Sequence, residues 1–309
     1  MIYFLSGFLL TLLSLKFIRP LLKNNFIAIP NERSSHKIST PSGGGISFVI
    51  SFLIIIIIDG IRNQFFSNII NVFFASSLLA LVGLFDDYYD LPRSIRFLSQ
   101  FFVVILIISF SNFSGSTFFL QFLLGLIGIS TINFFNFIDG IDGLLAGSMI
   151  VLLSSSIIFL SLPSVLWALV GGLILFLFFN WNPSNIFMGD SGSLFLGAIF
   201  FGISLNSNNL ENLIRVFLTG SPIFFDTIIC IIRRKFAGEN IFLSHKKHLY
   251  QRLIIGGMSH GKVSTIYILS ILFLSLINNF LNIYYLIFAS ICILIFGTIL
   301  ERKVSSDFN

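Results

Sequence analysis

Apolar runs of about 14 to 20 residues, separated by short polar segments, recur along almost the whole chain. Runs of that length match the hydrocarbon a helix must cross, and backbone polar groups in lipid are satisfied only within helices or closed barrels. No soluble packing could hide this surface, since 56% of the 309 residues are hydrophobic, 40 are Phe, 10% are charged and mean hydropathy is +0.98. The expected fold is an all-α, polytopic integral membrane protein. Spans fall at about 2–18, 45–58, 68–85, 97–110, 118–135, 144–162, 165–180, 194–206, 214–232, 263–280 and 284–300. That gives eleven helices, or ten if the weakest run, 194–206, drops out. No small-residue cleavage site follows the first run, so it is expected to stay as a helix. The longest polar stretch is 233–262, so 1–309 reads as a single transmembrane domain.

Charge orients the chain. Segments 19–45, 86–96, 233–262 and 301–309 carry fifteen of the eighteen Lys and Arg, Lys16 lies close by, and only Arg62 and Arg215 fall on the opposite side. Basic connections stay in the cytoplasm, which predicts a periplasmic N-terminus and a cytoplasmic C-terminus. The pI near 9.3 then needs no nucleic-acid partner, because basic loops also meet anionic lipid and anionic substrates. Span parity puts five polar segments, 19–45, 86–96, 136–143, 180–193 and 233–262, on the same cytoplasmic face. A transporter or flippase would place its carboxylates near the bilayer midplane, often in repeated halves, and no repeat is present.

Asp86, Asp87, Asp90, Asp139, Asp142 and Asp190 all sit where apolar runs end. Carboxylates at the edge of a low-dielectric phase are costly without a cation, so they mark a functional site. If the third helix runs on, Asp86 and Asp90 share one face, which suits a divalent cation or a base beside a phosphate. Arg93 and Arg96 follow. Asn136, Asp139 and Asp142 alternate with Gly140 and Gly143, a set of hard oxygen ligands on a bending backbone. Asp190 stands between glycines at a helix start, beside Phe187, whose ring a nucleobase could stack on. Gly44 and Gly45 open a helix after the basic run Arg33, His36, Lys37, an arrangement that lets amides approach a phosphate.

His245 and His248 have spacing that zinc uses, but no third ligand accompanies them in sequence, and their neighbours Lys246, Lys247 and Arg252 point to phosphate instead. Cys230 and Cys292 read as apolar packing residues, not metal ligands. Gly256–Lys262 is not a P-loop, since Val263 stands where Ser or Thr is required. The 139–146 stretch departs from the CDP-alcohol phosphotransferase pattern at Gly147, and a prenyltransferase would need a second Asp-rich motif. Asp226, within the ninth run, either supports the site or pairs with a helix break.

Taken together, segments 30–45, 86–96, 133–144, 180–193 and 245–253 occur in the order seen in the polyprenyl-phosphate N-acetylhexosamine-1-phosphate transferases, glycosyltransferase family 4, which the chain resembles over nearly its whole length. The resemblance implies a bacterial inner-membrane enzyme using Mg²⁺, with Mn²⁺ as a substitute. It would transfer a sugar 1-phosphate from a UDP-HexNAc to undecaprenyl phosphate, release UMP, and tolerate a homodimer. By motif match it implies Asp86 and Asp87 near the acceptor phosphate, with Asp139 in support, and Asn136 and Asp190 at Mg²⁺. Asp142 and Phe187 would lie at uracil, and His245 and His248 at the sugar-phosphate side; Gly44, Gly45, Arg93, Arg96 and Arg252 would serve phosphate contacts. The peptidoglycan branch, which moves phospho-N-acetylmuramoyl-pentapeptide, carries three adjacent histidines where this chain has His245-Lys-Lys-His248. The chain therefore looks like the branch that initiates O-antigen or related polysaccharides from UDP-GlcNAc or a 6-deoxy donor such as UDP-QuiNAc or UDP-FucNAc. Ser42 and Ser94 depart from positions that are often basic in the family.

Overall fold

The computed structural model describes residues 1–28, 39–63, 68–241, 243, 245–306 and 308. The basic run at 30–37, singled out above, lies outside them. In chain order the helices are α1 (Ile2–Asn25), α2 (Ile46–Asn63), α3 (Asn68–Tyr89), α4 (Arg93–Ser109), α5 (Phe118–Ile138), α6 (Leu144–Phe159), α7 (Trp167–Asn180), α8 (Asp190–Ser204), α9 (Leu210–Thr219), α10 (Ser221–Phe236), α11 (Leu249–Ile255), α12 (His260–Phe280) and α13 (Ile283–Val304). Strands β1 (Ile27–Ala28) and β2 (Thr40–Pro41) form a small antiparallel pair between α1 and α2, a feature the apolar pattern did not signal.

The protein is a multi-pass membrane protein, for which eleven spans were expected. Among the described residues, five helices are long and apolar enough to cross a membrane, and a sixth is obtained if the bent pair α9–α10 is one span. The apolar helices α6, α7 and α8 fall short of that length. The 214–232 run was expected as one helix; instead the chain turns by 77° between α9 and α10. Gly220 ends α9, and Pro222 in the first turn of α10 has no N–H with which to continue the ladder.

Outward faces carry Leu5, Leu9, Phe17, Phe101, Phe102, Phe122 and Ile291, all exposed apolar side chains suited to lipid. The core is organised around α8, which is buried throughout except at Asp190 and packs against α3 and α5. A helix apolar on every side belongs in such a place, which explains why 194–206 reads weakly as a span yet exists as a helix. Helices α1 and α7 approach closely through small residues, since a methyl group on Gly7 or Gly171 would overlap the carbonyl oxygen of Ala168 or Phe4.

The polar segments predicted to share a face do converge at one end of the bundle. The C-terminal ends of α3, α5, α7 and α10 meet the N-terminal ends of α4, α6, α8, α11 and α12 there, through the contacts described next.

Candidate active site

The convergent end holds an open cleft of about 830 Å³. Asp87, Asn136, Asp139, Asp142, Phe187 and Asp190, all expected in the site, line it together with Ser42, Gln251 and His260. Asp190 is the first helical residue of α8; Gly189 occupies the N-cap, so the carboxylate is not spent on capping. Asn136 Nδ2 donates to Asp190 Oδ1 at 2.9 Å and also lies 2.9 Å from Ser193 Oγ. The Asp190 N–H donates to Asp87 Oδ1 at 3.1 Å, while the buried Asp87 Oδ2 has no hydrogen-bond partner. A side chain at Gly189 would place its Cβ 2.4 Å from that Oδ2, and φ there is +72°, so two constraints select glycine.

The neighbouring pair of aspartates divides its labour. Asp86 is buried and tied down, accepting from Arg96 Nη1 at 2.9 Å and from the Leu91 N–H at 2.7 Å. Arg96 also reaches to 4.0 Å from Asp190 Oδ2. Asp90 does not share the face of Asp86, because α3 stops at Tyr89 and Asp90 turns outward with φ at 49°. Arg93 is exposed on the first turn of α4, apart from the cleft lining.

Asp139 ends α5. Burial, then the negative charges of Asp190 and Asp87, hold its carboxyl well above the usual range. Three carboxylates converging with one partly engaged arginine are short of positive charge. An unpartnered Asp87 oxygen, a cluster of hard oxygen donors and that electrostatic shortfall fit a divalent cation such as Mg²⁺, which binds through one or two carboxylates plus substrate phosphate and water.

Asp142 lies on the other side of the cleft, in the loop before α6, and Gly143 with φ +73° takes the cap position. Ser184 Oγ donates to Asp142 Oδ1 at 2.9 Å, and His260 Nδ1 lies 3.3 Å from Oδ2. Burial acts to raise its carboxyl, but His260 and Ser184 outweigh it and hold the group below the ordinary value, so it is an ionised acceptor. His260 and Ser184 were not picked out from sequence. Ser184 lies inside a singled-out segment; His260 follows the discarded P-loop-like stretch and carried no signal of its own.

The glycine pair does something other than cradle an anion. The Gly44 and Gly45 N–H groups donate to the Phe187 and Met188 carbonyls at 2.9 Å each, and the Phe187 N–H donates to the Pro41 carbonyl at 2.8 Å. This strand-like pairing fixes Phe187 at the cleft but leaves no free amide at either glycine.

His245 and His248, expected in the site, do not line the cleft; their rings stack with centroids 4.9 Å apart. The loop before them is held by Arg234, which is buried and binds Glu239 at 2.9 Å and the Asn240 carbonyl at 2.6 Å. Asp226 supports the site: it accepts from the Leu249 N–H at 2.7 Å, the Tyr250 N–H at 3.2 Å and Tyr267 Oη at 2.6 Å. His248 Nδ1 lies 3.5 Å from the same carboxylate. Helix α11 turns Gln251 toward the cleft but Arg252 away from it, where Arg252 pairs with Glu301 and stacks over Phe308 at 5.2 Å. Sequence gave Cys230 no ligand role and the two histidines no third partner. The structure adds a neighbour to them, because α10 brings the Cys230 sulfur within 4.8 Å of ligand atoms of both histidines.

Burial pulls the His248 imidazole down, but Asp226 and Cys230 more than offset it and push it up to about 9. Because the folded value is raised from 6.5, the pair's stabilisation is complete below about pH 6.5 and is lost as pH rises through about 9. The thermal midpoint in detergent should fall across that alkaline limb, and His248→Gln should flatten the fall; parallel curves for the two proteins would remove this pair from the account.

The glycosyl transferase family 4 profile matches residues 69–208. A relative from Bacillus subtilis (strain 168), a probable undecaprenyl-phosphate N-acetylglucosaminyl 1-phosphate transferase, is 31% identical over 303 residues, covering 88% of this chain and 84% of the relative. A phospho-N-acetylmuramoyl-pentapeptide-transferase from Staphylococcus aureus (strain bovine RF122 / ET3-1) is 28% identical over 267 residues, covering 75% and 81%.

Proposed function

Starting from a chain that belongs to glycosyl transferase family 4, we propose that it moves HexNAc 1-phosphate from a UDP-HexNAc to undecaprenyl phosphate at the cytoplasmic face of a bacterial inner membrane, releasing UMP. The homologues support the coarser activity, transfer of a sugar 1-phosphate onto undecaprenyl phosphate. The observation that carries the assignment to this cleft is the meeting of Asp87, Asn136, Asp139 and Asp190 opposite Asp142 and Phe187.

In the proposed reaction an oxygen of the lipid phosphate attacks the donor's β-phosphorus. The bond from that phosphorus to the bridging oxygen breaks, and UMP leaves with the electron pair. The acceptor's second ionisation lies near about 6, so it is largely dianionic at neutral pH and needs positioning more than a strong base. Asp190 and Asn136 would hold Mg²⁺ or Mn²⁺, with Asp87 and Asp139 beside them; the ion supplies neutralisation of the donor diphosphate when bound. Asp87, with one oxygen unpartnered, is better placed than Asp86 to take a residual proton. Asp86 holds Arg96 in reach of developing phosphate charge. Asp142, ionised, accepts from the uracil imide, with Phe187 against the base. His245 and His248 are assigned to the sugar-phosphate side by the motif match alone, since neither lines the cleft and His248 is buried.

The donor is proposed to be UDP-GlcNAc or a UDP-6-deoxy-HexNAc, with O-antigen or a related surface polysaccharide as the product's destination. His245-Lys-Lys-His248 and the Bacillus relative support this donor class. The Staphylococcus relative favours the second reading, a UDP-MurNAc-pentapeptide donor. Purified protein with undecaprenyl phosphate, Mg²⁺ and a donor panel should release UMP with a simple UDP-HexNAc. Release with the pentapeptide donor alone would install the second reading, and none with any donor would overturn both. A reporter fused at the C-terminus should be active in the cytoplasm; a periplasmic signal would invert the proposed orientation.

A further inference from the structure

Cys230, His245 and His248 form the one group of three or more Cys, His, Asp or Glu donors among the described residues whose ligand atoms all lie within 4.8 Å of one another. They come from two elements, Cys230 from α10 and the histidines from the loop before α11. A sulfur and two imidazoles are a borderline-soft donor set, matched to Zn²⁺ and unlike the oxygen set at Asp190.

Two further observations point to a ligand. His248 is buried, at 3% exposure, and its Nδ1 makes no hydrogen bond, its facing group being the Asp226 carboxylate at 3.5 Å. Cys230, with only 2% exposure, is a free thiol lining a separate apolar cavity of about 690 Å³ that Lys247 and Asp226 also border. The nearby cations are already engaged, Lys247 with Glu239 at 2.5 Å and Arg233 with Glu301. Donors around a tetrahedral zinc stand about 3.3–3.7 Å apart, given bonds of about 2.0–2.3 Å. The cluster must therefore tighten by roughly 1 Å, and His245 must give up its hydrogen bond from the Lys247 N–H, 3.1 Å long. Water or Asp226 would complete the shell.

We propose that Cys230, His245 and His248 bind Zn²⁺ and that the bound metal inhibits the transferase by holding the loop of His245, the more exposed of the two histidines, away from the substrate. The cysteine thiol and any imidazolium release their protons to solvent as the metal binds. The inhibitory half rests on the function proposed above; the binding half does not.

Two measurements test the halves separately. In full-length purified protein, Co²⁺ used as the probe should give the near-ultraviolet absorption of a cobalt–thiolate bond, and Zn²⁺ should bleach it at one equivalent. Cys230→Ala should lose the band. In the UMP-release assay at saturating Mg²⁺, Zn²⁺ should inhibit the wild type, and Cys230→Ala should keep its basal rate while needing about 10- to 100-fold more Zn²⁺. Absence of the thiolate band in the wild type overturns the site whatever the enzyme's activity. Zinc inhibition equal in wild type and Cys230→Ala assigns the effect to the aspartate cleft and overturns the proposal. A wild-type band with no UMP release from any donor would leave the metal site standing and sink the proposed function instead.

Discussion

Asp190→Asn is expected to cut UMP release by about 100- to 1,000-fold while leaving the thermal midpoint near that of the wild type. The substitution keeps the shape of a side chain at the first turn of α8 and keeps the backbone N–H that donates to Asp87 at 3.1 Å. It removes the charge that faces Asn136 at 2.9 Å and Arg96 at 4.0 Å. If the carboxylate is one of the few groups holding the donor's counter-ion, the loss appears in the chemical step and the residual activity requires more Mg²⁺. Asn136→Ala should follow in the same direction, and the two together should cost less than the product of their separate effects, because they act as one unit. Full activity in Asp190→Asn would move the reaction out of this cleft.

Much of that cleft was legible because its residues announce themselves against a lipid-soluble background. Asp87, Asn136, Asp142 and Asp190 lie at the ends of apolar runs where polar groups are expensive, and parity alone puts those ends on one side. The structure links Asp87, Asn136 and Asp190 by hydrogen bonds and sets Asp142 across the cleft from them. What sequence did not reveal depends on rotation about helix axes and on partners far along the chain. His260 meets Asp142 at a sequence separation of 118, at a helix start that looks ordinary. Arg252 and Gln251 are adjacent, yet α11 sends them to opposite sides, because buried Tyr250 and Leu253 decide which face packs. Nor did hydropathy show the 77° turn between α9 and α10, since both halves are apolar and only Gly220 and Pro222 mark the break. That turn matters for the site: α10 is the helix that carries both Asp226 and Cys230 to the histidine loop.

Asp226→Ala is expected to lower the thermal midpoint by roughly 10 °C and to reduce activity with it. The carboxylate is 6% exposed and accepts from Leu249 N–H, Tyr250 N–H and Tyr267 Oη, with His248 Nδ1 at 3.5 Å. Helix α11 is only seven residues long, too short to be stable alone, so its first N–H groups depend on this distant side chain. Alanine leaves those donors without their acceptor and a buried imidazole without its facing charge, a loss of about 3–5 kcal/mol for one partner of a buried charged pair. Tyr267→Phe removes a single hydroxyl from the same network and should cost only about 1 kcal/mol, with activity nearly intact. The contrast separates anchoring from bulk packing, since both substitutions fall in the same buried region. Equal midpoints for the two variants, read by thermal scanning in one detergent, would show that α11 is held by Tyr250 and Leu253 instead. In that case the histidine loop would not owe its position to Asp226.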